Sequence, residues 1–107
     1  REFLHVDDLA DGLLHLLEIE EPPDWINVGY GEDVTIRELA ETIAGVVGFE
    51  GELAFDTSKP DGTPRKLMDN SKIFSLGWKP RLTLREGIAD AYRDLLEGLE
   101  PNSVRGL

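Results

Sequence analysis

A chain of 107 residues has room for one domain with a modest core, and not for a cofactor domain beside a substrate domain. Its formal net charge of -11 argues against a general nucleic-acid surface. The absence of cysteine excludes disulfides, thiolate metal sites and cysteine nucleophiles, and no apolar run is long enough to span a bilayer. A reducing compartment suits such a chain, so the cytoplasm is the expected location.

Phe3-Leu4-His5-Val6 is a short apolar run that predicts a strand. Asp7 then offers a carboxylate to cap a helix, with Asp8 in its first turn and Leu9, Leu13, Leu16 and Leu17 as one apolar stripe. Glu21-Pro22-Pro23 stops that helix. Trp25 to Val28 predicts a second strand, closed by Gly29-Tyr30-Gly31. Thr35-Ile36-Arg37-Glu38 is a capping box, and Gly48 is placed to end the helix behind it. Glu52 to Phe55 predicts a third short strand. Two prolines and a Pro-Asp-Gly turn keep 56–64 irregular. Asp69 to Gly77 reads as a short helix ending at glycine, and Thr83-Leu84-Arg85-Glu86 is a second capping box, followed by a helix carrying Leu84, Ile88, Ala91, Leu95 and Leu99. Pro101 ends regular structure.

The predicted fold class is therefore α/β, or α+β for the piece alone: helices with a small, short-stranded sheet, over a domain at 1–100 and a flexible tail at 101–107. The helical stripes are expected to form the core, and Trp25 and Trp78 to be core or interface anchors. Three short strands make a meagre sheet. The chain starts on Arg1, not Met, in what reads as the middle of a strand, so further strands are expected upstream.

The catalytic inventory is thin. Gly29-Tyr30-Gly31-Glu32-Asp33-Val34 has two glycines of a dinucleotide fingerprint, Val34 where the third belongs, and two acids where a phosphate would come. Neither tyrosine has a lysine four residues on: Tyr30 is followed by Val34 and Tyr92 by Leu96. His5, Asp7 and His15 imitate a two-histidine, one-carboxylate metal site, but Asp7 is better used as a cap, and no metal site is assigned. Neither Ser71 nor Ser75 has the setting of an acyl-carrier serine. No catalytic residue is assigned.

Charge is distributed unevenly. Residues 1–58 hold two basic and fifteen acidic side chains, whereas 59–107 hold nine basic and seven acidic. The change of sign begins at Lys59, and Lys59, Arg65 and Lys66 surround the rigid Pro-Asp-Gly-Thr-Pro turn. Such a cluster suits a diphosphate, because charge-assisted bonds to phosphate are strong and arginine can engage two oxygens at once. Asp61 and Thr63 have the chemistry to bond ribose hydroxyls. A solvated loop that balances the acidic half is the alternative.

Several blocks together resemble one family. Arg1-Glu2-Phe3-Leu4-His5-Val6-Asp7-Asp8, Ile26-Asn27-Val28-Gly29 with Thr35 to Ala40, Phe55 to Lys66, and Leu76-Gly77-Trp78-Lys79-Pro80 resemble, in order and spacing, the extended short-chain dehydrogenases/reductases of the NAD-dependent epimerase/dehydratase family. The stretch from Phe55 to Lys66 is most like the members that act on GDP-sugars. Tyr30, where threonine or serine is usual, and Met68-Asp69-Asn70 depart from the family pattern. The resemblance implies a C-terminal, nucleotide-sugar-binding part of an enzyme whose NADPH site and catalytic residues lie in an N-terminal Rossmann domain. It implies no cofactor bound by this chain and no activity in isolation. Its partners would be a GDP-sugar and that Rossmann domain, with a homodimer as a further option, and neither nucleic acid nor membrane. Arg1 matches the family arginine that approaches the diphosphate, Lys59 the basic position of the later loop, with Asp61, Thr63 and Arg65 as neighbours. The alternatives are a different nucleotide sugar or a ligand-free association module.

Overall fold

The computed structural model describes residues 1–99. Four helices carry its regular structure: α1 Val6–Leu17, α2 Ile36–Val47, α3 Ser71–Ser75 and α4 Leu84–Gly98. The tail expected at 101–107 and the break at Pro101 lie outside the described residues.

The helix boundaries follow local chemistry. Thr35 caps α2 by accepting from the Glu38 amide at 3.0 Å, though only the threonine half of that box forms. Gly48 closes α2 in the left-handed conformation at φ 75°, which costs glycine no Cβ clash. At α4 the box is complete: Thr83 Oγ1 accepts from the Glu86 amide and Glu86 accepts from the Thr83 amide. The cap of α1 is His5 rather than Asp7. Its Nδ1 accepts the Asp7 amide at 3.0 Å, so the helix begins at Val6, inside the run expected to be a strand.

The expected α/β fold is not formed: among the described residues there is no strand and no sheet. The strands predicted at 3–6, 25–28 and 52–55 have the right side chains, but a strand exists only when its backbone groups pair with a neighbour. One residue pair exchanges bonds in both directions. The Val34 amide donates to the Arg1 carbonyl at 2.9 Å, and the Arg1 amino group donates to the Val34 carbonyl at 2.7 Å. A single pair is no ladder.

The leucine stripe of α1 corrects a second expectation. Leu13 and Leu17 are 52% and 81% exposed, and Leu9 is exposed as well. The inward face of α1 is polar instead: Asp8, Asp11 and His15, three and four residues apart, grip the segment after α3. Asp8 accepts the amides of Arg81 and Leu82 at 3.0 and 3.1 Å, Asp11 accepts the Trp78 indole N–H at 3.0 Å, and the His15 Nε2 bonds the Leu76 carbonyl at 2.8 Å. Gly12 makes this approach feasible, since a Cβ there would sit 3.2 Å from both the Trp78 ring and Val28. Trp78 is buried and anchors the fold with Ile73, whereas Trp25 is 84% exposed and anchors nothing among the described residues.

Elsewhere α2 packs against α4. The radius of gyration is 17.0 Å, against about 13 Å for a compact domain of this length. The chain is open, and its apolar helix faces are largely unfilled.

Candidate functional site

The site begins where Arg1 meets the start of α2. The backbone exchange between Arg1 and Val34 sets Arg1 beside the Thr35 cap. Glu2 fixes the neighbourhood: its Oε2 accepts the Gly31 amide at 2.6 Å and the Asn70 side-chain amide at 2.9 Å, and its Oε1 accepts the Met68 amide at 3.2 Å. The turn at Gly31 needs φ 97°, and a Cβ on Gly29 would lie 2.7 Å from the Glu2 carboxylate. Asn70 is buried. Its nitrogen serves Glu2 and the Met68 carbonyl, which leaves its Oδ1 without a partner.

The loop of residues 61–65 closes over this point and is pinned twice. Arg1 Nη1 donates to the Thr63 carbonyl at 2.6 Å. Arg65 grips Asp33 with a fork, Nε to Oδ2 at 2.5 Å and Nη2 to Oδ1 at 3.2 Å. The Arg65 hydrogen bonds hold the Asp33 carboxyl below its usual range, and Asp33 raises the guanidinium in turn. Arg65 is mostly in solvent and Asp33 is 22% exposed, so salt screens the pair. Between loop and helix runs a groove of about 590 Å³ lined by Arg1, Thr35, Glu38, Asp61, Thr63 and Arg65, among others. It ends on the first turn of α2, where unpaired amides and the helix dipole favour an anion.

Four of the five residues singled out in the sequence, Arg1, Asp61, Thr63 and Arg65, meet in this groove. Lys59 does not line it. Its amide joins a turn to the Asp56 carbonyl at 3.4 Å, and its side chain is exposed. Asp56 shapes that turn by accepting from the Ser58 hydroxyl and amide, which lowers its pKa. Sequence reasoning missed Asp33 and Glu38. In the sequence the two acids after Gly31 stand where a phosphate would come, yet Asp33 is where Arg65 is held. The groove pairs two guanidiniums with three carboxylates, so it is no simple cation trap.

The histidines part company. His5 Nε2 lies 3.0 Å from Asp90 Oδ2, with the Asp7 carboxylate 3.9 Å from Nδ1. His15 is engaged by the Leu76 carbonyl and is not part of that group. The two-histidine arrangement weighed from the sequence is thus not assembled.

No family model matches the chain. Curated relatives do. It is 59% identical over 92 residues to GDP-L-fucose synthase 1 of Arabidopsis thaliana, covering 86% of this chain and 28% of the relative. It is 54% identical over 99 residues to probable GDP-L-fucose synthase 1 of Oryza sativa subsp. japonica, covering 92% and 30%. Among solved structures, a GDP-6-OMe-4-keto-L-xylo-heptose reductase from Campylobacter jejuni superposes with a TM-score of 0.80 at 42% identity, over 91% of this chain and 31% of the other. A GDP-mannoheptose C4 reductase from the same organism, with NADP bound, gives 0.75 at 43% identity over 87% and 30%. The chain belongs to the GDP-sugar epimerase/reductase family, within the NAD-dependent epimerase/dehydratase short-chain dehydrogenases/reductases. Among its relatives there are the GDP-L-fucose synthases. These relatives are enzymes, and the chain spans about 30% of their length. No helix among the described residues is long and apolar enough to cross a membrane.

Proposed function

We propose that this chain is the nucleotide-sugar-binding part of an NADPH-dependent GDP-L-fucose synthase, which converts GDP-4-keto-6-deoxymannose to GDP-L-fucose. The observation that carries the reading is the groove between Arg1 and the 61–65 loop, in a chain 59% identical to a GDP-L-fucose synthase over 92 residues. In this reading Arg1 and Arg65 meet the diphosphate at the N-terminus of α2. Asp61 and Thr63 bond the ribose, and Lys59 adds a cation at the approach. The NADP bound by a related reductase supports NADPH as the cofactor of the whole enzyme, held outside this chain. The chain has no tyrosine followed by a lysine four residues on, so hydride transfer belongs to residues it does not contain, and the chain alone is inactive.

Calorimetric titration of the 107-residue chain with GDP, UDP and dTDP tests this. Weak binding that favours GDP is expected, since a groove without its opposite wall is poorly preorganised. Preference for UDP or dTDP would move the chain to another nucleotide-sugar enzyme, and turnover of GDP-4-keto-6-deoxymannose by the chain alone would overturn its inactivity. The exposed leucines of α1 favour a second reading, a ligand-free association module. Binding of none of the three nucleotides, together with a solution mass above the monomer, would establish it.

A further inference from the structure

Asp33 stands out among the groove residues because its charge is wrong for the ligand. A carboxylate beside a diphosphate repels it, by Coulomb's law, and the simplest expectation is that Asp33 weakens binding. Its geometry argues the opposite. Asp33 follows the positive-φ turn at Gly31, whose amide is held by Glu2. It precedes Val34, whose backbone is paired with Arg1. Its place is therefore set from both sides, and its carboxylate is less exposed than the arginine it holds. Arg65, by contrast, sits on an irregular loop of exposed residues, where a long side chain would otherwise sample many rotamers. The contact is two-pronged and side-on, using Nε and Nη2. A guanidinium carries five N–H groups, so the others remain for a ligand.

We propose that Asp33 is a positioning residue of the nucleotide groove: it holds Arg65, and with it the 61–65 loop, in the orientation that receives a diphosphate. This rests on the nucleotide-binding reading above. Asp33 itself does not touch the ligand. The loop's other anchor, Arg1 on the Thr63 carbonyl, fixes its backbone but not the Arg65 side chain. Arginine rather than lysine is needed at position 65, because an ammonium cannot be gripped by a fork and still present donors of fixed direction.

The sign of one substitution decides between positioning and repulsion. GDP is titrated into the 107-residue chain by calorimetry at low salt. Asp33→Asn should weaken GDP binding about threefold, the scale of a partly exposed ion pair. Arg65→Ala should weaken it by at least as much, and the double variant no further than Arg65→Ala alone. Asp33→Glu should recover part of the loss. Arg65→Lys, which keeps the charge and removes the fork, should also weaken binding and guards against a folding defect in the Asp33 variants. Unchanged or tighter binding by Asp33→Asn or Arg65→Lys overturns the proposal while leaving the nucleotide reading intact. The Arg65 Nε–H resonance provides a readout independent of ligand. It should be shifted and slow to exchange in the unmodified chain and lose both properties in Asp33→Asn; if the two spectra agree, the pair is absent in solution and the proposal falls. If the unmodified chain binds no GDP while the resonance is protected, the nucleotide reading fails, and the positioning role with it.

Discussion

Arg1 serves the groove with both its backbone and its side chain. The backbone pairs with Val34 and sets the floor, while the guanidinium holds the 61–65 loop through the Thr63 carbonyl. Lys59, with the same charge and only two residues ahead of Asp61, does not line the groove. Arg1→Ala should therefore weaken GDP binding about fivefold, as expected for losing a charge-assisted bond near solvent, and Lys59→Ala less than about twofold. Titration of both variants at two salt concentrations checks the order; equal losses would bring Lys59 into the groove. In an enzyme of the relatives' length, the small Lys59→Ala effect should fall on KM more than on kcat, because a cation at the approach to the groove is remote from the reacting carbon. A fall in kcat alone would contradict the role.

At the scale of elements, the helix starts are the most strongly written features. Thr83→Ala removes the cap of α4 and should destabilise the chain by about 1 kcal/mol, measured by urea unfolding. The Thr83 amide holds the Glu86 carboxyl below its ordinary range, and the Arg65 fork does the same for Asp33. A carboxyl with a depressed folded pKa contributes stability that is present above its unfolded pKa and lost as pH falls through the folded value. The unfolding midpoint should thus fall on acidification from neutrality to below the carboxylate range, and Glu86→Gln should make that fall smaller. Gly12→Ala is the sharpest test of the α1 docking. Its methyl would crowd the Trp78 ring and Val28 at 3.2 Å, so a loss of about 1–2 kcal/mol is expected from overpacking.

For the molecule as a whole, the decisive fact is how little is buried. Ile73 and Trp78 are the buried apolar side chains among the described residues, while Leu13, Leu14, Leu17, Leu95 and Leu96 are all at least half exposed. Such a chain should bind a hydrophobic dye in native buffer and show a solution mass that rises with concentration. Leu17→Lys should cost less than about 0.5 kcal/mol of stability while reducing association, because Leu17 is 81% exposed. A monomer at every concentration with no dye binding would contradict this.

The sequence by itself determined the features that are local. Thr35 and Thr83 announced their helices, Gly48 announced an end, and the prolines and Pro-Asp-Gly kept the loop irregular, because caps and turns are set by residues within a few positions. The ordered blocks from Arg1 to Pro80 also carried the family, and with it Arg1 and the loop as the place to look. Tertiary structure decided what depends on distant partners. Whether Phe3, Trp25 and Leu53 lie in a sheet depends on a neighbouring backbone, and none pairs with them among the described residues. Whether the leucines of α1 face inward depends on what α1 packs against, and Asp8, Asp11 and His15 take that side through bonds to residues 76–82. Asp33 and Arg65, 32 residues apart, meet only because Arg1 pairs with Val34 and the loop folds back over that pair. No periodicity or spacing encodes such a contact, so an acid that looked like an obstacle to phosphate in the sequence becomes, in the fold, the group that holds the arginine.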